Sequence, residues 1–128
     1  MAMKMCRGFF QFPHAHICIR DVGEEIKKPP CGSPAIYLDF YDLDDKAPGR
    51  YHDGLFKDEQ ADAIAKFVKE TDPELVIVVN CAAGVSRSPG VVLALRRHYG
   101  GDTEEVFNKA CSNIFVTSKL TRSLKRIS

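Results

Sequence analysis

The chain has 128 residues, 45% of them hydrophobic, which suits a single domain spanning 1–128 with a core of its own. Eighteen Lys and Arg against seventeen Asp and Glu leave a formal charge of +1, which excludes a global basic field for nucleic acid or an anionic membrane. No apolar stretch approaches the roughly 20 residues of a membrane span and the opening residues lack the apolar middle of a signal peptide, so a soluble, cytoplasmic monomer is expected.

In chain order, the first expected element is a strand from His16 to Arg20, with a turn at Asp21, Val22 and Gly23. The stretch from Lys27 to Pro34 holds three prolines, which remove backbone donors and fix φ, and it reads as a surface connection. Ala35 to Tyr41 is aromatic and apolar, as a second strand would be, and runs into the acidic residues Asp42, Asp44 and Asp45. Residues 46–55 read as a loop. Ala61, Ile64, Ala65 and Val68 then share one face of a helix from about Lys57 to Glu70, which Asp72 and Pro73 stop.

Leu75 to Val79 is apolar throughout, the pattern of a strand covered on both faces in a parallel sheet. A helix from Ser88 to Tyr99 follows, with Pro89 in its first turn and Gly100 and Gly101 at its end. Further helices are expected from Asp102 to about Ser112 and from Ser118 to Arg126. Strands alternating with helices argue for an α/β fold with a central, mainly parallel sheet flanked by helices.

Between the apolar strand and its helix lies Asn80-Cys81-Ala82-Ala83-Gly84-Val85-Ser86-Arg87-Ser88. The other four cysteines, Cys6, Cys18, Cys31 and Cys111, are irregularly spaced and fit neither a disulfide framework nor a zinc site. Cys81 is different, because it stands at the carboxyl end of a strand, where open α/β sheets bind ligands. Backbone amides of residues 82–87, the Arg87 guanidinium and the positive end of the following helix can converge on one tetrahedral anion. They would also favour the thiolate, the form in which cysteine is a nucleophile. Arg87 offers a bidentate fork to phosphate oxygens, and Gly84 lets the backbone approach closely. In-line attack by Cys81 would give a phosphocysteine, with Ser88 donating a hydrogen bond to the sulfur as it leaves. A carboxylic acid is then needed for the departing alkoxide, and the acidic segment after the second strand is the place to look.

Cys-x-x-Gly-x-x-Arg-Ser, present as Cys81, Gly84, Arg87 and Ser88, resembles the active-site loop of the cysteine-dependent protein tyrosine phosphatases. The chain looks most like the small dual-specificity type, in the compact form encoded by bacteria and phages. The likeness covers about residues 35–100, and more weakly the strand at 16–20. It implies a dual-specificity-phosphatase-like fold and hydrolysis of phosphate monoesters on a phosphorylated protein or peptide, with no cofactor or metal. It further implies that residues Ala82, Ala83, Gly84, Val85, Ser86 and Arg87 bind the phosphate. Phe40-Tyr41-Asp42 matches the Phe-x-Asp pattern of the family, making Asp42 the first choice for general acid. An alignment with human-type enzymes places the acid at Asp44, with Asp45 third. In one departure, the family's His before the nucleophile is replaced by Asn80, which can donate hydrogen bonds but brings no imidazole and no charge.

Alternative readings are a pseudophosphatase that binds phosphorylated partners without turnover, and a phosphatase of phosphoinositides or of RNA 5′-phosphates. Arg96, Arg97 and the basic residues Lys119, Arg122, Lys125 and Arg126 read as solvated helix faces or as a polyanion-recruiting surface. Tyr51 and His52 are candidates for the pocket rim, Cys18 and Cys31 for a disulfide with Cys81, and Gln60 and Tyr99 have no assigned role.

Overall fold

The alternation of apolar runs with amphipathic segments produces a parallel sheet with helices packed against it. The computed structural model describes residues 2–5, 14–23, 34–81, 87–100 and 112–127. Among them, strands β1 (Ala2–Met5), β2 (His14–Arg20), β3 (Ala35–Asp39) and β4 (Val76–Asn80) form one sheet in the order β1-β4-β2-β3. Every pairing is parallel. The α/β class read from the sequence is observed.

Some boundaries differ from the expectation. β1 had no turn residues or β-branched run to announce it, and its pairing with β4 is what makes it a strand. β2 begins two residues before the expected His16, where its pairing with β4 extends to His14 and Val76. β3 ends before the expected Tyr41: the Phe40 amide still bonds to the Arg20 carbonyl of β2, but the Tyr41 amide turns away to the Gly54 carbonyl. The expected loop contains a short 3₁₀ turn, Gly49–Gly54. Residues 27–33 and the helix expected over 102–111 lie outside the described residues.

Three helices are described: α1 (Asp58–Glu70), α2 (Arg87–Tyr99) and α3 (Ile114–Ile127). α1 buries Ala61, Ile64, Ala65 and Val68, the face marked by their spacing. α2 is buried along its first nine residues, from Arg87 to Leu95, as an inner helix should be. It stops before Gly100, whose φ of +90° is open to glycine at little cost. α3 packs against both α1 and α2. It starts four residues ahead of the expected Ser118 because Asn113 caps it, the Val116 amide donating to Asn113 Oδ1 at 3.2 Å. None of the described helices is long and apolar enough to cross a membrane.

Alternation along the strands sorts side chains onto two faces. Ala15, Ile17 and Ile19 of β2 join Leu38, Ile77, Val79 and the helices in one core. His14, His16 and Cys18 take the other face, together with Val78 and Asn80 on β4. Just past β3, Phe40 and Phe56 are buried with ring centroids 4.7 Å apart. Each such ring contributes about 2 kcal/mol of burial and fixes where the chain after β3 departs.

Candidate active site

The parallel sheet places the exits of β2, β3 and β4 at one end, and the residues just beyond them form the site. Asp21 follows β2, Phe40 and Asp42 follow β3, and Cys81 follows β4. Arg87 is the first residue of α2, so the positive end of that helix faces the same place.

Cys81 is half-buried against the core, with Sγ 3.2 Å from the Oγ of the fully buried Ser88. A serine hydroxyl at this distance can donate to sulfur. Arg87 is buried, and its Nη1 donates to Asp21 Oδ1 and to the Phe40 carbonyl, both at 2.7 Å. The edge formed by Nε and Nη2 has no partner among the described residues. Such an edge is what bidentate recognition of a phosphate uses. Residues 82–86, expected to line the phosphate cradle, lie outside the described residues.

The two candidate acids differ in what they hold. Asp42 is exposed and accepts a hydrogen bond from Asn113 Nδ2 at 2.8 Å. The Asn113 amide therefore works twice, its oxygen capping α3 and its nitrogen steadying Asp42. Asp44 is turned back on its own loop, where Oδ1 accepts from the Lys46 amide at 2.9 Å. Asp42, Asp44 and Asp45 line a cleft of about 640 Å³ between the segment after β3 and the start of α3.

Other side chains settle into supporting roles. Gln60 Oε1 accepts the Lys57 amide ahead of α1 while Nε2 donates to the Asp39 carbonyl, pinning the end of β3 to the start of α1. Tyr51 packs edge-on against Tyr41, and His52 Nε2 lies 2.7 Å from the Ala47 carbonyl; both brace the loop and neither lines the cleft. Lys119 and Arg126 pair with Asp58 and Asp62 of α1, so part of the basic face of α3 serves helix packing. Lys119 also holds the Asp58 carboxyl below its usual range.

Asn80 lies on the sheet face opposite the one against which Cys81 packs. Its Oδ1 and the Nε2 of nearby His16 are shielded from solvent and lack hydrogen-bond partners among the described residues. Burial lowers the His16 pKa from the ordinary value of 6.5, His14 lowers it further, and the Asn80 side chain opposes them. Cys18 sits on that same face, 3.9 Å from His16 Nδ1. A sheet between them does not favour the Cys18–Cys81 disulfide; Cys31 lies outside the described residues.

Sequence reasoning missed Asp21 and Asn113. Asp21 was legible only as a turn residue, although an acid just past a parallel strand stands where ligands bind. Asn113 precedes Ile114, Phe115 and Val116, and an Asn before an apolar run is a helix-start signal. Comparisons with protein-family models, with curated proteins and with solved structures returned no match.

Proposed function

We propose that the chain is a cysteine-dependent phosphatase with the dual-specificity-phosphatase fold, hydrolysing phosphate monoesters of protein tyrosine, with phosphoserine and phosphothreonine as further substrates. The observation that carries this reading is the arrangement at the exit of β4, where Cys81 Sγ lies 3.2 Å from Ser88 Oγ beside a buried Arg87 that the described residues hold through Nη1. The Nε and Nη2 edge of Arg87 would grip two phosphate oxygens. Cys81 Sγ, as thiolate, would attack phosphorus and form an S–P bond while the P–O bond to the leaving group breaks. Asp42 would donate its proton to the departing oxygen. Water, deprotonated by the same carboxylate, would then attack phosphorus, and the S–P bond would break with Ser88 donating to the sulfur. The scheme uses no cofactor.

Hydrolysis of 4-nitrophenyl phosphate tests it. The native chain should turn over, Cys81→Ser and Arg87→Ala should be inactive, and Asp42→Ala should lose rate mainly on alkyl phosphates, whose leaving groups need the proton. A native rate no greater than that of Cys81→Ser would sink the proposal, and phosphate still bound without turnover would favour the pseudophosphatase alternative.

A further inference from the structure

The cleft beside Asp42 has features that the hydrolytic chemistry does not require. Asp42, Asp44 and Asp45 share it with one cation, Lys46, so its field is negative. Across from them, Ile114 leaves 76% of its surface in solvent at the first position of α3, and Leu43 in the same cleft leaves 36%. Ser112 also lines the cleft. A negative wall and an exposed apolar pair therefore meet in one space of about 640 Å³.

We propose that this cleft receives the polypeptide flanking the phosphorylated residue, as a segment that sets a Lys or Arg against Asp44 and Asp45 and an apolar side chain on Leu43 and Ile114. The inference rests on the phosphatase reading, and it names the substrate class: phosphopeptides with basic and apolar flanks. Charge complementarity selects this occupant. A phosphoinositide headgroup or an RNA 5′ end brings further phosphates, which three carboxylates would repel. The basic residues of α3 that would otherwise attract a polyanion include Lys119 and Arg126, which are paired with α1. A basic phosphopeptide instead presents its phosphate to Arg87 and its cation to the aspartates.

The test compares two phosphotyrosine peptides that share an apolar residue and differ only in carrying Lys and Arg, or Asp and Glu, beside it. kcat/KM is measured on the native chain and binding by fluorescence anisotropy on Cys81→Ser, with 4-nitrophenyl phosphate and a short-chain phosphoinositide alongside. The basic peptide should be preferred about fivefold at low salt, the effect of two exposed ion pairs. The preference should shrink as salt screens it, which needs no variant and so does not depend on variant folding. Asp45→Lys should bring the ratio of the two peptides to one or below, and a ratio cancels any change in intrinsic turnover. Ile114→Asn should weaken both peptides alike. Equal treatment of the peptides, or preference for the acidic peptide or the phosphoinositide, overturns the inference even with aryl phosphate turnover intact. Peptides separated by anisotropy with no turnover of any substrate would support the cleft while sinking the phosphatase reading.

Discussion

Removing the Asp21 carboxylate tests the central ion pair of the site without assuming any reaction. Asp21→Ala deletes one of the two acceptors of Arg87 Nη1 and leaves the Phe40 carbonyl in place. The side chain of Arg87 is 6% exposed and that of Asp21 is 53% exposed, so the pair is neither a surface bridge nor a buried one. Surface pairs contribute about 0.2–1 kcal/mol, while breaking a fully buried pair costs about 3–5 kcal/mol. The carboxylate is open to water while the guanidinium keeps only a small exposed edge, which places the expected loss at about 1.5 kcal/mol. With a urea slope of about 1.5 kcal/mol per molar, the unfolding midpoint should fall by about 1 M. A double-mutant cycle with Arg87→Ala isolates the pair, and the coupling energy should be at least about 1 kcal/mol. Additive single losses, with coupling under about 0.5 kcal/mol, would refute the claim that Asp21 holds Arg87. In the enzyme as proposed, a loosened guanidinium would also lower kcat about tenfold, since about 1.4 kcal/mol is one decade.

Three more predictions concern the surroundings. A Cβ at Gly90 would stand 2.9 Å from the Asn113 carbonyl oxygen and 3.3 Å from Thr117 Oγ1. Gly90→Ala should therefore lower stability by about 1 kcal/mol despite the better helix propensity of alanine, because the backbone carbonyl cannot step aside; a raised urea midpoint would contradict this. Asn113→Ala should cost about 1 kcal/mol for the lost cap, while Asn113→Asp should keep the cap but lose the donor to Asp42, so that stability falls chiefly in the first and, in the enzyme as proposed, alkyl phosphate turnover falls in both. Because the His16 pKa is lowered in the folded chain, the unfolded chain takes up the proton first as pH drops below 6.5. Folded stability should decline from about pH 6.5 downward until folded His16 also titrates, and His16→Gln should lessen that decline; an unchanged slope between about pH 7.5 and about pH 5.5 would rule the residue out.

Much of the fold was legible because period and punctuation agreed. The α1 stripe, the apolar run of β4 and Pro89 inside the first turn of α2 each follow from local chemistry that packing reinforced. β1 was not legible, since a four-residue edge strand is made by its partner and not by its own composition. The start of α3 was missed because the basic stripe from Ser118 onward drew the reading past the Asn113 cap. At the site, Cys81, Arg87 and Ser88 stood within one motif and were found together. Asp21 lies 66 residues from Arg87 and Asn113 lies 71 from Asp42, separations that only parallel strand exits and helix packing can close. Sequence spacing carries no trace of such pairs.

The seam between α2 and α3 sets how much variation this protein can absorb. The residue that steadies Asp42 has its carbonyl against Gly90, in the opening turn of the helix that begins with Arg87 and Ser88. One turn further along α3, Thr117 Oγ1 donates to the Gly90 carbonyl at 2.9 Å. The two walls of the site are thus measured from a single helix spacing. In a library of random substitutions, Gly90, Asn113 and Thr117 should form an intolerant stripe, while exposed neighbours such as Ser118 and Arg122 accept nearly anything.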